Sequence, residues 1–262
     1  MDGLRTRAAK LAAAARALHA ASGALAPFSL AFLTDRRRIA NPEPILRALP
    51  RGAAVIFRDY DMSSREAVAR RYLSITRARG VFFLVAGDED LADRIGADGV
   101  HWPSGGHRES GTGNGVRRHS RFPIPDSRLL VTAAAHDAAE LAAAAAGGTK
   151  LALLSPAFAT RSHPGTEHLG AARFKALAAA SPIPVLALGG VEAGNAAFLK
   201  GRNICGIAAI GAFFSSLDES AGRKSGHRSC ASSFASPLRG GRKSPLRLSG
   251  GGAHFHRGIS SG

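Results

Sequence analysis

Leu153-Leu154-Ser155-Pro156-Ala157-Phe158-Ala159-Thr160-Arg161-Ser162-His163-Pro164-Gly165, closed by Leu169-Gly170, is followed by Ile183-Pro184-Val185-Leu186-Ala187-Leu188-Gly189-Gly190-Val191. In each stretch a short apolar run stops at Ser-Pro or Gly-Gly, residues that permit sharp turns and close backbone approach. An apolar run of about 4–8 residues bounded by turn formers reads as a strand buried on both faces. Such strands belong to parallel sheets. A strand ending in Gly-Gly ahead of a helix also leaves backbone N–H groups pointing outward, which suits a phosphate.

Working outward from these two units, the same alternation runs through most of the chain. Strands are expected at Ser29–Thr34, Ala53–Arg58, Val81–Ala86, Gly99–Trp102, Leu129–Thr132, Lys150–Ser155, Pro184–Leu188 and Gly206–Ile210. Helices are expected at Ser64–Arg79, opened by a Ser63-Ser64-Arg65-Glu66 capping box, and at Asp88–Ile95, His136–Ala146, Ala171–Ala180 and Ala193–Lys200. Strands separated by helices imply parallel pairing through right-handed crossovers. That count of strands fits a (β/α)8 TIM barrel, with an open doubly wound sheet as the alternative. One segment interrupts the pattern. Residues 103–128 are rich in Gly, Ser and Arg where a fourth helix would fall, and their Gly111-x-Gly113-x-Gly115 follows no strand, so it reads as a flexible loop.

Both ends of the chain differ from this core. Leu4, Ala8, Leu11, Ala15 and Leu18 recur at helical spacing, so residues 1–27 are an N-terminal helical segment. That segment carries Arg5, Arg7, Lys10 and Arg16 and lacks the Leu-rich centre of a signal peptide. The net charge is +16, but half of it comes from eight Lys/Arg without one acid between Ser220 and Gly262. The expected division is therefore a barrel over 28–217 and a disordered, low-complexity basic tail over 218–262, marked by Ser236-Pro237-Leu238-Arg239 and its copy Ser244-Pro245-Leu246-Arg247. Nucleic acid would be bound only non-specifically, through that tail, because aromatic interleaving is missing. No run long and apolar enough to span a membrane is present. Cys205 and Cys230 make no disulfide framework or metal spacing, and a cytoplasmic, reducing location fits best. The sequence leaves the oligomeric state open.

Gly96-Ala97-Asp98-Gly99-Val100-His101, the Ser155–Gly165 loop with Leu169-Gly170, Ala187-Leu188-Gly189-Gly190-Val191 and Gly206-Ile207-Ala208-Ala209-Ile210 occur in an order and spacing that resemble one superfamily. It is that of thiamine phosphate synthase and thiazole tautomerase (TenI), and the likeness covers 28–214. Phe32-Leu33-Thr34-Asp35 and Arg58-Asp59 add weaker support. The resemblance implies a barrel enzyme that couples a pyrimidine diphosphate to a thiazole phosphate, releasing pyrophosphate, with thiazole aromatisation as the alternative activity. A barrel that only binds a phosphorylated ligand is the non-catalytic alternative.

The resemblance also assigns residues. Arg58 is the retained arginine of a pyrophosphate motif whose flanking positions are here Ile56 and Tyr60. Departure of pyrophosphate implies Mg²⁺ as cofactor. The two metal-binding aspartates of the family fall here at Gly87 and at Gly105-Gly106, so no metal ligand set is read, and Asp88 or Asp90 are the nearest substitutes. The phosphate of the thiazole is expected on Thr160, Ser162, His163, Gly189, Gly190, Ile210 and Gly211. His136, just beyond strand 5, is the expected proton-transfer residue, with Arg58 as the second catalytic candidate. Plainer roles compete: Arg58 pairing with Asp35 or Asp59, His136 capping a helix, Gly189-Gly190 serving close packing, and His101 and Trp102 as buried structure.

Overall fold

The computed structural model describes residues 2–104, 129–160, 165 and 167–214. Its eight strands are β1 (Leu30–Leu33), β2 (Ala54–Phe57), β3 (Phe82–Ala86), β4 (Gly99–Trp102), β5 (Leu130–Ala135), β6 (Leu151–Leu154), β7 (Val185–Leu188) and β8 (Ile204–Ala209). Every neighbouring pair is parallel, and β1 pairs with both β2 and β8, so the sheet closes into a barrel. The open doubly wound alternative is excluded. The helices are α1 (Asp2–Ser22), α2 (Glu43–Ala48), α3 (Arg65–Arg77), α4 (Glu89–Ile95), α5 (Ala138–Ala146) and α6 (Gly170–Ala180).

Alternation along each strand divides the core in two. Ala31 and Leu33, Ala54 and Ile56, Leu84 and Ala86, Leu151 and Leu153, Leu186, Cys205 and Ala208 form one buried cluster, the barrel interior. Their alternates Leu30, Phe32, Val55, Phe57, Phe83, Val85, Ala152 and Leu154 pack outward with the helices. Trp102 belongs to that outer layer, against Val131, Ala133 and Ala144, and is a packing residue.

The N-terminal helix completes the outer ring. Leu11, Ala15 and Leu18 of α1 are buried, and α1 lies across β8 and β1 with α2 and the 3-10 turn Ala196–Leu199 on its flanks. The Asn203 N–H donates to the Ser22 carbonyl (3.0 Å), while Arg7 Nε donates to the Phe213 carbonyl (2.9 Å). So α1 runs antiparallel to β8, in the position of a helix returning from that strand, and its first turns stand at the C-terminal end of the barrel.

Local differences from the sequence reading have simple causes. Only six residues long, α2 opens at Pro42 and buries Ile45 and Leu46, too short to show a period. Ala196–Leu199 is a 3-10 turn rather than a helix over 193–200. The N-cap of α3 is Ser64, whose side chain makes no cap hydrogen bond; Glu66 instead receives Arg70 (2.8 Å) and Arg94 (3.4 Å). The loop 105–128 and the tail expected from 218 lie outside the described residues.

Candidate active site

A cleft of about 850 Å³ opens at the C-terminal ends of the strands. Arg58 after β2, His136 after β5, Thr160 after β6, Gly189 and Gly190 after β7, and Ile210 and Gly211 after β8 all line it. Residues distant in sequence meet there because every parallel strand ends on the same side. Ser162 and His163 lie outside the described residues.

Glycine is required after β7 for a packing reason. Gly189 and Gly190 have φ of +93° and +65°, and a Cβ on Gly190 would come 2.9 Å from the Phe158 carbonyl carbon. The loop after β6 lies against these glycines, with the Phe158 N–H donating to the Gly189 carbonyl (3.0 Å). Asn195 holds the turn from the other side, donating from Nδ2 to the Gly190 carbonyl (2.8 Å) and accepting the Glu192 N–H (2.8 Å). The bare Cα faces thus seat one loop on another, and both residues still border the cleft.

His136 is oriented from three directions. Its Nδ1 lies 2.8 Å from the Ser155 carbonyl oxygen and 3.2 Å from Ser155 Oγ, and its Nε2 lies 3.1 Å from Ser104 Oγ. A carbonyl only accepts, so Nδ1 carries a proton, and in the neutral tautomer this selects, Nε2 is the acceptor facing the Ser104 hydroxyl. The helix cap next to it is Asp137, whose carboxylate accepts the Glu140 N–H (2.8 Å) while Glu140 accepts the His136 N–H (2.7 Å). The imidazole is thus not the cap, and its ring faces the cleft.

On the β1–β3 side of the mouth, Arg58 and Arg65 are each met by a carboxylate. Arg58 pairs with Asp35 (3.0 Å), and its N–H donates to Thr34 Oγ1 (2.9 Å). Arg65, reaching over from α3, donates to the Asp59 carbonyl (3.1 Å), the Ala86 carbonyl (2.6 Å) and Asp88 Oδ2 (2.8 Å). Its guanidinium also stands 5.6 Å from the Phe57 ring and 5.5 Å from the Tyr60 ring. The other oxygen of Asp88 caps α4 through the Leu91 N–H (2.9 Å). Tyr60 covers Gly87, where a Cβ would meet its ring at 3.2 Å. Burial pushes the Tyr60 hydroxyl pKa up, against the opposing pull of Arg58 and Arg65.

Below the mouth, His101 fills the interior at β4. Its Nδ1 lies 3.0 Å from Thr132 Oγ1, which in turn donates to the Val100 carbonyl (3.3 Å), so His101 Nδ1–H is the donor. Burial, aided by the positive charge of Arg58, lowers its pKa to about 3. It is a neutral structural histidine.

The sequence model for thiamine monophosphate synthase matches residues 30–213. The chain belongs to the thiamine monophosphate synthase family. It is 34% identical over 180 residues to the thiamine-phosphate synthase of Chromobacterium violaceum, covering 66% of this chain and 81% of that one. It is 35% identical over 183 residues to that of Methanoculleus marisnigri, covering 66% and 80%. The solved thiamine phosphate pyrophosphorylase of Pyrococcus furiosus superposes with a TM-score of 0.55 at 22% identity, over 73% of this chain and 90% of that one, which shows the shared fold. By its family the chain is a transferase-class enzyme of thiamine biosynthesis.

Within the thiamine monophosphate synthase family, Mg²⁺ is the implied cofactor, and the described residues do not fit it. Gly87 has no ligand atom in its side chain, Asp88 is engaged by Arg65 and by the α4 cap, and Asp90 is an exposed residue in the first turn of α4. Among the described residues, no group of three or more His, Cys, Asp or Glu is placed to hold a metal. Also among them, no helix is long and apolar enough to cross a membrane. Sequence reasoning missed Ser104 and Ser155, the partners of His136, and the cations Lys10 and Arg38 on the cleft wall. Ser155 was marked by its place at a strand end; the others carry no sequence signal, since each depends on which loops meet.

Proposed function

We propose that this enzyme acts on a thiazole phosphate bound in the barrel-mouth cleft, its phosphate toward Thr160 and the loops of Gly189-Gly190 and Ile210-Gly211. The observation that carries this reading is the grouping of those loops with an oriented His136 in a chain of the thiamine monophosphate synthase family. Barrels of this class hold phosphate at their last two loops. Coupling of the thiazole phosphate to a pyrimidine diphosphate is the family's own reaction, and Arg58 faces the cleft where the second substrate would lie.

A second reading, thiazole tautomerisation, is favoured by one observation, the contact of His136 Nε2 with the Ser104 hydroxyl (3.1 Å) while Nδ1 is held on the Ser155 carbonyl. An isomerisation needs one proton taken from one atom of the ring system and returned at another, with no bond to phosphate broken. A neutral imidazole with its far nitrogen fixed is suited to both transfers. Single-turnover assays with each substrate set decide between the readings. Proton transfer lost in His136→Ala, with thiazole phosphate affinity kept, supports tautomerisation. Fast Mg²⁺-dependent thiamine phosphate formation, unchanged by His136→Ala, assigns coupling and removes His136 from the chemistry. A chain that binds no thiazole phosphate overturns both.

A further inference from the structure

The wall of the cleft is strongly cationic. Arg7 and Lys10 of α1, Arg38 from the loop after β1, and Arg58 all line it, against Glu192 as the one acid among the described residues there. Two of these cations are already engaged: Arg58 pairs with Asp35, and Arg7 donates to the Phe213 carbonyl. Of the Arg36-Arg37-Arg38 run, Arg38 is the member that lines the cleft, while the Arg37 side chain lies 3.7 Å from Asp61. Among the described residues, Arg38 and Lys10 have no carboxylate partner.

Arg38 is also placed on the β8 loop. A Cβ built on Gly211 would lie 2.7 Å from Arg38 Nη2, so the guanidinium rests directly over the Gly211 Cα. Gly211 does not have a positive φ, so its conformation does not demand glycine. What an added Cβ would meet is the far end of Arg38. The arrangement brings an exposed guanidinium, uncompensated among the described residues, onto the loop proposed above to face the phosphate.

We propose that Arg38 is the side-chain cation that makes this cleft select a phosphate monoester over the corresponding uncharged alcohol, with Lys10 of α1 as a second, more distant contributor. The proposal rests on the phosphate site given under the proposed function. A guanidinium offers paired N–H donors to two phosphate oxygens, a charge-assisted contact stronger than a neutral hydrogen bond. It also gives the N-terminal helix a part in recognition, since only its antiparallel placement on β8 brings Lys10 to the cleft.

Calorimetric titration of the full chain with thiazole phosphate and with its dephosphorylated alcohol tests this. Wild type should prefer the phosphate. Arg38→Gln should weaken phosphate binding about 10- to 100-fold and leave the alcohol within about twofold. Lys10→Gln should act in the same direction and less. Gly211→Ala should weaken the phosphate in the wild-type background by displacing the guanidinium, and add nothing in the Arg38→Gln background. Wild type preferring the phosphate while Arg38→Gln keeps that preference overturns the role of Arg38 and leaves the phosphate site standing. Wild type binding both ligands equally overturns the phosphate site itself, and this proposal with it.

Discussion

His136 Nδ1 and the Ser155 carbonyl oxygen stand 2.8 Å apart, joining the end of β5 to the end of β6. This contact fixes the tautomer and thereby the chemical character of the exposed nitrogen. Since a backbone carbonyl cannot donate, the imidazole presents a base, not an acid, to the cleft in its neutral state.

His136→Ala is expected to lower proton-transfer turnover by about 10²- to 10⁴-fold, the usual worth of a positioned general base. Its side chain is exposed, so the melting temperature should stay close to that of wild type. Ser104→Ala removes the hydroxyl partner of Nε2 and should cost less, with a changed pH profile as its signature. Steady-state kinetics with a melting control on both variants check this; unchanged turnover in His136→Ala refutes it.

Asp88 is expected to behave as a structural residue. Asp88→Ala removes the α4 cap and leaves the Arg65 guanidinium, whose side chain is only 14% exposed, without its carboxylate. The loss should be about 2 kcal/mol in denaturant unfolding. Added Mg²⁺ should move the stability of wild type and variant equally. A stabilisation by Mg²⁺ seen in wild type alone would make Asp88 a metal ligand.

His101 makes stability pH-dependent in a predictable direction. Its pKa falls from 6.5 to about 3 on folding, so the unfolded chain binds the extra proton between those values. Stability is complete above about pH 6.5 and declines as the pH drops, with a slope approaching about 1.4 kcal/mol per unit. Between pH 7 and pH 5 this residue should account for about 2 kcal/mol, and His101→Asn should lack that share of the decline. Identical pH dependence in the two proteins would show that His101 titrates in the native barrel as it does in the unfolded chain.

The N-terminal helix should be integral to the barrel. Leu18 is 1% exposed, and Leu18→Ala should destabilise the protein by about 3 kcal/mol. A separate, loosely attached helix would show no change in the unfolding midpoint.

Gly190→Ala should fail through packing before ligand binding is affected. Its Cβ would press on the Phe158 carbonyl carbon at 2.9 Å and the backbone has a positive φ. Far-UV circular dichroism during melting should show the loss without ligand; an unperturbed melt would mean that the loop after β6 moves aside.

The order of strands, the parallel barrel and most of the cleft were legible in the sequence, because buried parallel strands leave contiguous apolar runs and their ends are punctuated by Gly, Pro and Ser. Arg58, Thr160, Gly189, Gly190, Ile210 and Gly211 stood at such ends, and closure of the sheet gathers all strand ends on one side. Contacts between elements distant in the chain leave no such mark. Only the tertiary structure decided that Arg65 crosses from α3 to engage Asp88, that Ser104 and Ser155 flank His136, and that α1 lies antiparallel to β8 with Lys10 at the cleft. The same holds for Gly190, whose bareness the sequence offers to phosphate or to packing alike, and which the fold places against Phe158. Periodicity and turn chemistry are local and survive in the one-dimensional record. The pairing of charges and the tautomer of a histidine depend on which loops meet, and that is set by how the barrel closes.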